Sequence, residues 1–126
     1  MTPAENDALI SRFVKEFDAP AANPEAMGDY FTEDAVYHNI PVAPVVGRAA
    51  IVAALAGINQ MAHPAGWEIR WQVANDSVVL NERIDRFTRD GKVIELPVTG
   101  VFEIRDGKIA AWRDYFDMAM WQKQMA

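Results

Sequence analysis

Two Asp-Gly dipeptides, Asp90-Gly91 and Asp106-Gly107, constrain what this chain can fold into more than any other feature. They separate three long runs, 77–89, 92–105 and 108–115, that are rich in Val, Ile, Phe and Thr. Asp-Gly supplies the positive φ values that a tight hairpin turn needs, so three such runs predict an antiparallel meander. Pro97 and Gly100 in the middle run fit bends or bulges better than a flat sheet.

The segments before the meander read as helices and short strands. Leu9, Ile10, Phe13, Val14 and Phe17 recur at helical spacing and predict an amphipathic helix over 5–17. Asn23-Pro24-Glu25 is a helix start, a capping side chain followed by proline, and opens a short segment through Met27 and Tyr30. Residues 35–40, bounded by Asp34 and Pro41, read as a short strand that puts Tyr37 and Asn39 on one face. A loop over 42–46 then leads into a second helix over 48–61, whose stripe is Ile51, Leu55, Ile58 and Met61. Residues 67–73 alternate strictly, which predicts a strand with Trp67, Ile69, Trp71 and Val73 inward. At the end, Met118, Trp121 and Met125 fall at helical spacing and are expected in the core or an interface rather than around a ligand. Helices first and a long meander afterwards give an α+β fold, a strongly curved sheet closed by helices into a cone with a deep apolar pocket. At 126 residues, a single domain over 1–126 is expected.

Charge and composition narrow the partners. A net charge of −6 and a pI near 4.8 argue against a nucleic-acid or anionic-membrane partner, since both need a basic face. With no cysteine and two histidines, the chain has neither a thiolate nucleophile nor the usual metal ligands, and no cofactor is expected. The first residues are acidic where a signal peptide is basic, and the longest apolar run, 49–58, is too short to span a bilayer. The expectation is a soluble, cytoplasmic protein with a small neutral or cationic partner.

The chemistry concentrates on the first long strand. Arg83 and Asp85 share a face, about 6.6 Å apart along the strand, with Val79 and Phe87 beside them. A two-residue turn at Asp90-Gly91 sets Phe87 opposite Ile94, Asp85 opposite Leu96 and Arg83 opposite Val98, so the charged pair stands on the apolar face of the middle strand. A three-residue loop with Gly107 as a bulge would set Asp114 opposite Val98 and Gly100 opposite Trp112, aligning Arg83, Val98 and Asp114 in one row; a two-residue loop would instead turn Arg113 and Tyr115 inward. In the first register, one guanidinium lies between two buried carboxylates. That cluster balances its charge by holding one shared proton, making one aspartate an acid and the other a base. Such a pair suits a reaction that takes a proton from water and gives one to a leaving oxygen.

Tyr37-x-Asn39-x-Pro41, Glu82-Arg83-x-Asp85, and Gly100-Val101-Phe102 with Trp112-Arg113-Asp114-Tyr115-Phe116-Asp117 resemble the limonene-1,2-epoxide hydrolase family in order and spacing. The resemblance implies a nuclear transport factor 2-like cone with a bent, mixed, mainly antiparallel sheet, usually a homodimer. It makes Asp114 the base on a water also held by Tyr37 and Asn39, Asp85 the acid on the epoxide oxygen, and Arg83 the bridge. Leu96, Val98, Phe102, Trp112 and Phe116 become the pocket walls around a small hydrophobic epoxide, with Trp112 packing against Gly100. Glu82, Arg86, Arg113 and His38 fall out of phase with the cluster and are expected on the outer face or at a subunit contact.

Two other readings compete. A ketosteroid-isomerase-like proton shuttle would need a permanently neutral carboxylic acid, which Arg83 disfavours. A non-catalytic small-ligand binding cone would not require an acid and a base together.

Overall fold

Both Asp-Gly turns adopt the mirror-image conformation that matches strand twist. Asp90 and Gly91 have φ of 51° and 75°, Asp106 and Gly107 of 53° and 73°. The computed structural model describes residues 1–18 and 23–126. Helix α1 (Pro3–Phe17) and a short α2 (Pro24–Met27) with a 3-10 turn precede strand β1 (Phe31–Asn39), the two-residue β2 (Val45–Val46) and α3 (Arg48–Met61). Then come β3 (His63–Pro64), β4 (Glu68–Ala74), the meander β5 (Val78–Arg89), β6 (Lys92–Arg105) and β7 (Lys108–Tyr115), and α4 (Met118–Met125). The sheet runs β2-β1-β7-β6-β5-β3, with β4 also on β5, and β1 lies parallel to β7. The expected curved, mixed, mainly antiparallel sheet with helices on it is the architecture observed.

The first hairpin has the expected register, from Arg89 opposite Lys92 through Asp85 opposite Leu96 to Arg83 opposite Val98. Pro97 introduces no slip. The Glu95 amide points away from β5 and donates to Gln124 Oε1 of α4, so the Pro97 nitrogen, two residues on, faces the same edge, where β7 has already ended at Tyr115.

The second hairpin corrects the expected register. Its turn holds two residues, closing on Arg105 opposite Lys108, and the odd residue enters as a bulge after Ile104–Ile109, so that Phe102 faces Trp112 and Gly100 faces Asp114. The bulge restores the inward phase of Asp114 that a plain two-residue hairpin would have lost. The row across three strands is therefore Asn81, Gly100 and Asp114, not Arg83, Val98 and Asp114.

A second bulge corrects β4. Ile69 pairs with Arg83 and Trp71 with Glu82, leaving Arg70 unpaired. Beyond it the phase inverts: Trp71 is 76 % and Val73 65 % exposed, while Gln72 and Ala74 turn inward. Smaller differences are that β1 starts earlier than expected and that β2 and β3 pair where a loop and a helix end were expected. The core is aromatic. Leu9, Ile10, Phe13, Val14 and Phe17 of α1 are buried, and Phe13 meets Tyr30, Phe31, Phe102 and Trp112 edge-on at 5.2–6.2 Å. Ile51 and Leu55 of α3 close the same core, whereas Met61 is half exposed. Among the described residues no helix is long and apolar enough to cross a membrane.

Candidate active site

Period-two alternation along β5 turns Val79, Asn81, Arg83, Asp85 and Phe87 to the concave side, and all five are buried there. Arg83, with no exposed surface, is the centre of the cluster. Its Nε and Nη2 fork onto Asp85 Oδ1 and Oδ2, each at 3.0 Å; Nη2 also donates to Asp114 Oδ2 at 2.8 Å, and Nη1 to Asn81 Oδ1 at 2.9 Å. The guanidinium lies across β6 where Gly100 leaves room. A Cβ there would overlap Arg83 Nη1 and stand 2.8 Å from Asn81 Oδ1 and 3.0 Å from Asp114 Oδ1. Trp67 and Phe102 stack on the cation, with ring centroids 5.4 and 6.0 Å from Cζ. Trp112 Nε1 donates to the remaining Asp114 oxygen, Oδ1, at 2.7 Å.

The parallel strand β1 delivers the other two polar groups. Asn39 pairs with Asp114 and Tyr37 with Trp112, and the Ile40 amide donates to the Asp114 carbonyl. Asn39 Nδ2 donates to Tyr37 Oη at 3.0 Å, which leaves the phenolic proton free to be donated onward. Tyr37 is held flat against Trp112, 4.3 Å between centroids.

A cavity of about 210 Å³ opens over this floor. Tyr37, Asn39, Asp85 and Asp114 line it; Arg83 does not, and stands behind the two carboxylates. Of the five expected wall residues, Leu96, Val98 and Phe116 line the cavity. Phe102 and Trp112 do not. Both are fully buried in the aromatic core, because the β6–β7 bulge pairs them with each other and makes Trp112 a support for Asp114. Trp112 accordingly packs on Phe102 at 5.5 Å and not on Gly100. The other walls include Ile58, Met61, Trp67 and Phe87, with Met118 and Trp121 of α4. Helical spacing marks the α4 residues, but nothing in the sequence says how α4 docks; its Gln124 clips onto Glu95 of β6 and Trp121 onto Phe87. Asn81 is the further polar residue that sequence reasoning missed. Its inward phase is legible, but its role depends on Gly100 opposite. Arg86 and Arg113 stand apart from the cluster, bonded to Glu68 and Glu95 and to Glu103. Among the described residues no three His, Asp or Glu side chains converge to hold a metal ion.

The sequence pattern described as the limonene-1,2-epoxide hydrolase catalytic domain matches residues 8–126. The chain belongs to the limonene-1,2-epoxide hydrolase family. It is 33 % identical over 106 residues to the epoxide hydrolase EphG of Mycobacterium tuberculosis, a match that takes in 82 % of this chain and 64 % of that relative's length. An LEH-like epoxide hydrolase from M. tuberculosis superposes with a TM-score of 0.83 at 24 % identity, covering 98 % of this chain and 90 % of the other. A SnoaL-like protein from Jannaschia sp. CCS1 superposes at 0.86 with 12 % identity, covering 98 % of this chain and 93 % of the other. The shared fold is thus the nuclear transport factor 2-like and SnoaL-like cone, within which the family match is the narrower finding.

Burial dominates the electrostatics of this family member's cluster. Asp85 is pushed up to about 6, because desolvation outweighs the Arg83 charge and hydrogen bonds that favour its anion, and Asp114 adds repulsion. Burial, with the Asp114 charge next, also raises Tyr37, so it stays a neutral donor. For Arg83, burial works against the cation but Asp114 and Asp85 override it and hold the proton firmly. A carboxyl raised above its unfolded value of 3.8 stabilises the fold fully below that value and loses the contribution as pH rises through about 6. Relative to Asp85→Asn, which cannot ionise, the wild type should lose roughly 1–3 kcal/mol of stability between about pH 4 and pH 7 in urea unfolding. A difference that stays flat or grows with pH contradicts the raised Asp85.

Proposed function

We propose that the chain is a cofactor-independent epoxide hydrolase that adds water to a small or cyclic hydrophobic epoxide, of the limonene-1,2-epoxide kind, to give a vicinal diol in one step. The observation that carries this reading is that both carboxylates bound to one buried guanidinium also line a largely apolar cavity, beside Tyr37 and Asn39. The reaction starts from the form in which Asp85, raised by burial to about 6, carries its proton. A water held by Asp114, Tyr37 and Asn39 loses its proton to Asp114 as its oxygen forms a bond to one ring carbon. That carbon's bond to the ring oxygen breaks, and Asp85 delivers its proton to the oxygen. Afterwards Asp114 holds the proton taken from water and Asp85 has given up its own. The cluster's net charge is unchanged throughout, which is what a low-dielectric site needs.

Direct attack by water is favoured over a covalent intermediate because every carboxylate oxygen already accepts a hydrogen bond: Asp85 two from Arg83, Asp114 one from Arg83 and one from Trp112. Such oxygens are poor nucleophiles, yet their remaining lone pairs still exchange protons. The same fork counts against the isomerase reading, since a guanidinium bonded to a carboxyl disfavours the permanently neutral acid that reading needs. The reading also takes the chain as a cytoplasmic homodimer without nucleic-acid or membrane partners. Trp71, Val73 and Leu80, exposed together on the outer face of β4 and β5, supply the apolar surface a second copy would cover.

Incubation with a panel of cyclic epoxides and chiral analysis of the products should give diol for the wild type. Asp85→Asn and Asp114→Asn should each lower turnover by roughly 10²–10⁴-fold with unchanged circular dichroism, as expected when a positioned proton transfer is lost. Retention of more than about a tenth of wild-type turnover by either well-folded variant sinks the assignment. Because the acid must be protonated, kcat/KM should fall about tenfold per unit above about pH 6; a profile flat from pH 5 to 8 would show that Asp85 is not the acid.

A further inference from the structure

Beyond the Asp–Arg–Asp cluster, a line of side-chain hydrogen bonds runs from the buried guanidinium to the molecular surface. Arg83 Nη1 donates to Asn81 Oδ1 at 2.9 Å, Asn81 Nδ2 to Gln72 Oε1 at 3.1 Å, and Gln72 Nε2 to the Asp7 carbonyl, the Asp7 carboxylate and Ser11 Oγ at 2.8–3.1 Å. The two ends fix its polarity. Arginine can only donate and the Asp7 carboxylate can only accept, so both amides must point their oxygens inward and their nitrogens outward.

Two local irregularities make the line possible. The bulge at Arg70 inverts the phase of β4, which turns Gln72 inward and Trp71 out; without it Gln72 would stand on the far face. Gly100, opposite Asn81, leaves open the space in which Asn81 Oδ1 meets the guanidinium. Arg83 thus reaches a neutral acceptor on the side away from Asp85, and that acceptor is tied through β4 to α1.

We propose that Asn81, anchored by Gln72 to Asp7 and Ser11 of α1, is the positioning residue that fixes the plane of the Arg83 guanidinium so that one face of donors serves both carboxylates at once. The inference rests on the hydrolase reading above but concerns a residue outside the reacting atoms: Asn81 does not line the cavity, and neither does Gln72. A guanidinium has one rotational setting that gives Asp85 two bonds while sending Nη2 to Asp114. With Nη1 unpaired in a dry site, it would tilt toward another acceptor and loosen the fork on Asp85. The charged groups that bear on Asp85 are Arg83 on its own strand, Asp114 of β7 and, more distantly, Asp18 at the end of α1; none is altered by substituting Asn81 or Gln72.

The test uses Asn81→Leu, close in size but unable to accept, and Gln72→Leu, at a half-buried position that touches neither Arg83 nor the cavity. Diol formation by the wild type establishes the hydrolase reading first. Asn81→Leu should then lower kcat roughly 10–100-fold with KM changed less than about twofold, the pattern of lost alignment. Gln72→Leu should give a smaller loss, about 3–10-fold, by the same pattern. Independently of activity, carboxyl-carbon NMR should show the Asp85 titration in both variants moved upward, by about half a pH unit or more, as the Arg83 fork weakens. If Asn81→Leu does not fold, Gln72→Leu decides. An Asp85 titration and a kcat both at wild-type values in the folded variants, with only the melting temperature lowered, would overturn the positioning role and leave the hydrolase reading standing. A wild type that makes no diol overturns that reading, and the NMR shift still judges the alignment.

Discussion

A fully buried arginine is the constraint on which the rest of this structure depends. Removing a guanidinium from water costs several kcal/mol unless its donors find acceptors of good geometry. Arg83 finds them in Asp85, Asp114 and Asn81, each on an inward position of the sheet. Meeting that demand requires three adjacent strands in fixed register, a glycine where the side chain crosses β6, and aromatic rings above the cation. Loss of any one partner would leave a donor of the buried cation unsatisfied in a dry site. The sheet's curvature and bulges are therefore part of the site and not merely the frame that holds it.

The same interaction links stability to chemistry. At Asp85 burial favours the neutral acid, while the Arg83 charge favours the anion. The structure sets these effects against each other and leaves Asp85 raised to about 6 beside a second carboxylate. The cavity adds its own asymmetry. Asp114 has Asn39 beside it on the parallel strand β1, with Tyr37 two residues back, which is where a water could be held; Asp85 faces Leu96 and the apolar wall, where a carbon skeleton would lie. In the proposed reaction one carboxyl meets water and the other meets substrate, although a single guanidinium holds both.

Much of this was legible in the sequence because hairpin chemistry and period-two alternation are local. The Asp90-Gly91 turn alone determines which face Arg83 and Asp85 share and what stands opposite each. The positions of the bulges were not legible, since nothing in Ile69-Arg70-Trp71 or Ile109-Ala110-Ala111 distinguishes them from regular strand. Each overturned a specific expectation: Trp71 and Val73 inward, and Asp114 opposite Val98. Phe102 and Trp112 were misplaced as walls for the same reason, because their pairing with each other depends on the second bulge. The α4 walls, Met118 and Trp121, were out of reach of pattern reasoning, as they are brought in by Gln124 bonding to an edge of β6 that exists only once β7 has ended.

The central claim is that water, activated by one carboxyl while the other protonates the ring oxygen, opens the epoxide without a bond to the protein. A single turnover with enzyme in excess, in ¹⁸O-labelled water, tests it most directly. One-step hydration predicts that the diol of the first turnover carries the label at the attacked carbon and that Asp85 and Asp114 remain unlabelled. Unlabelled oxygen in that first diol, with ¹⁸O appearing afterwards in either aspartate, would contradict it and make that aspartate a nucleophile.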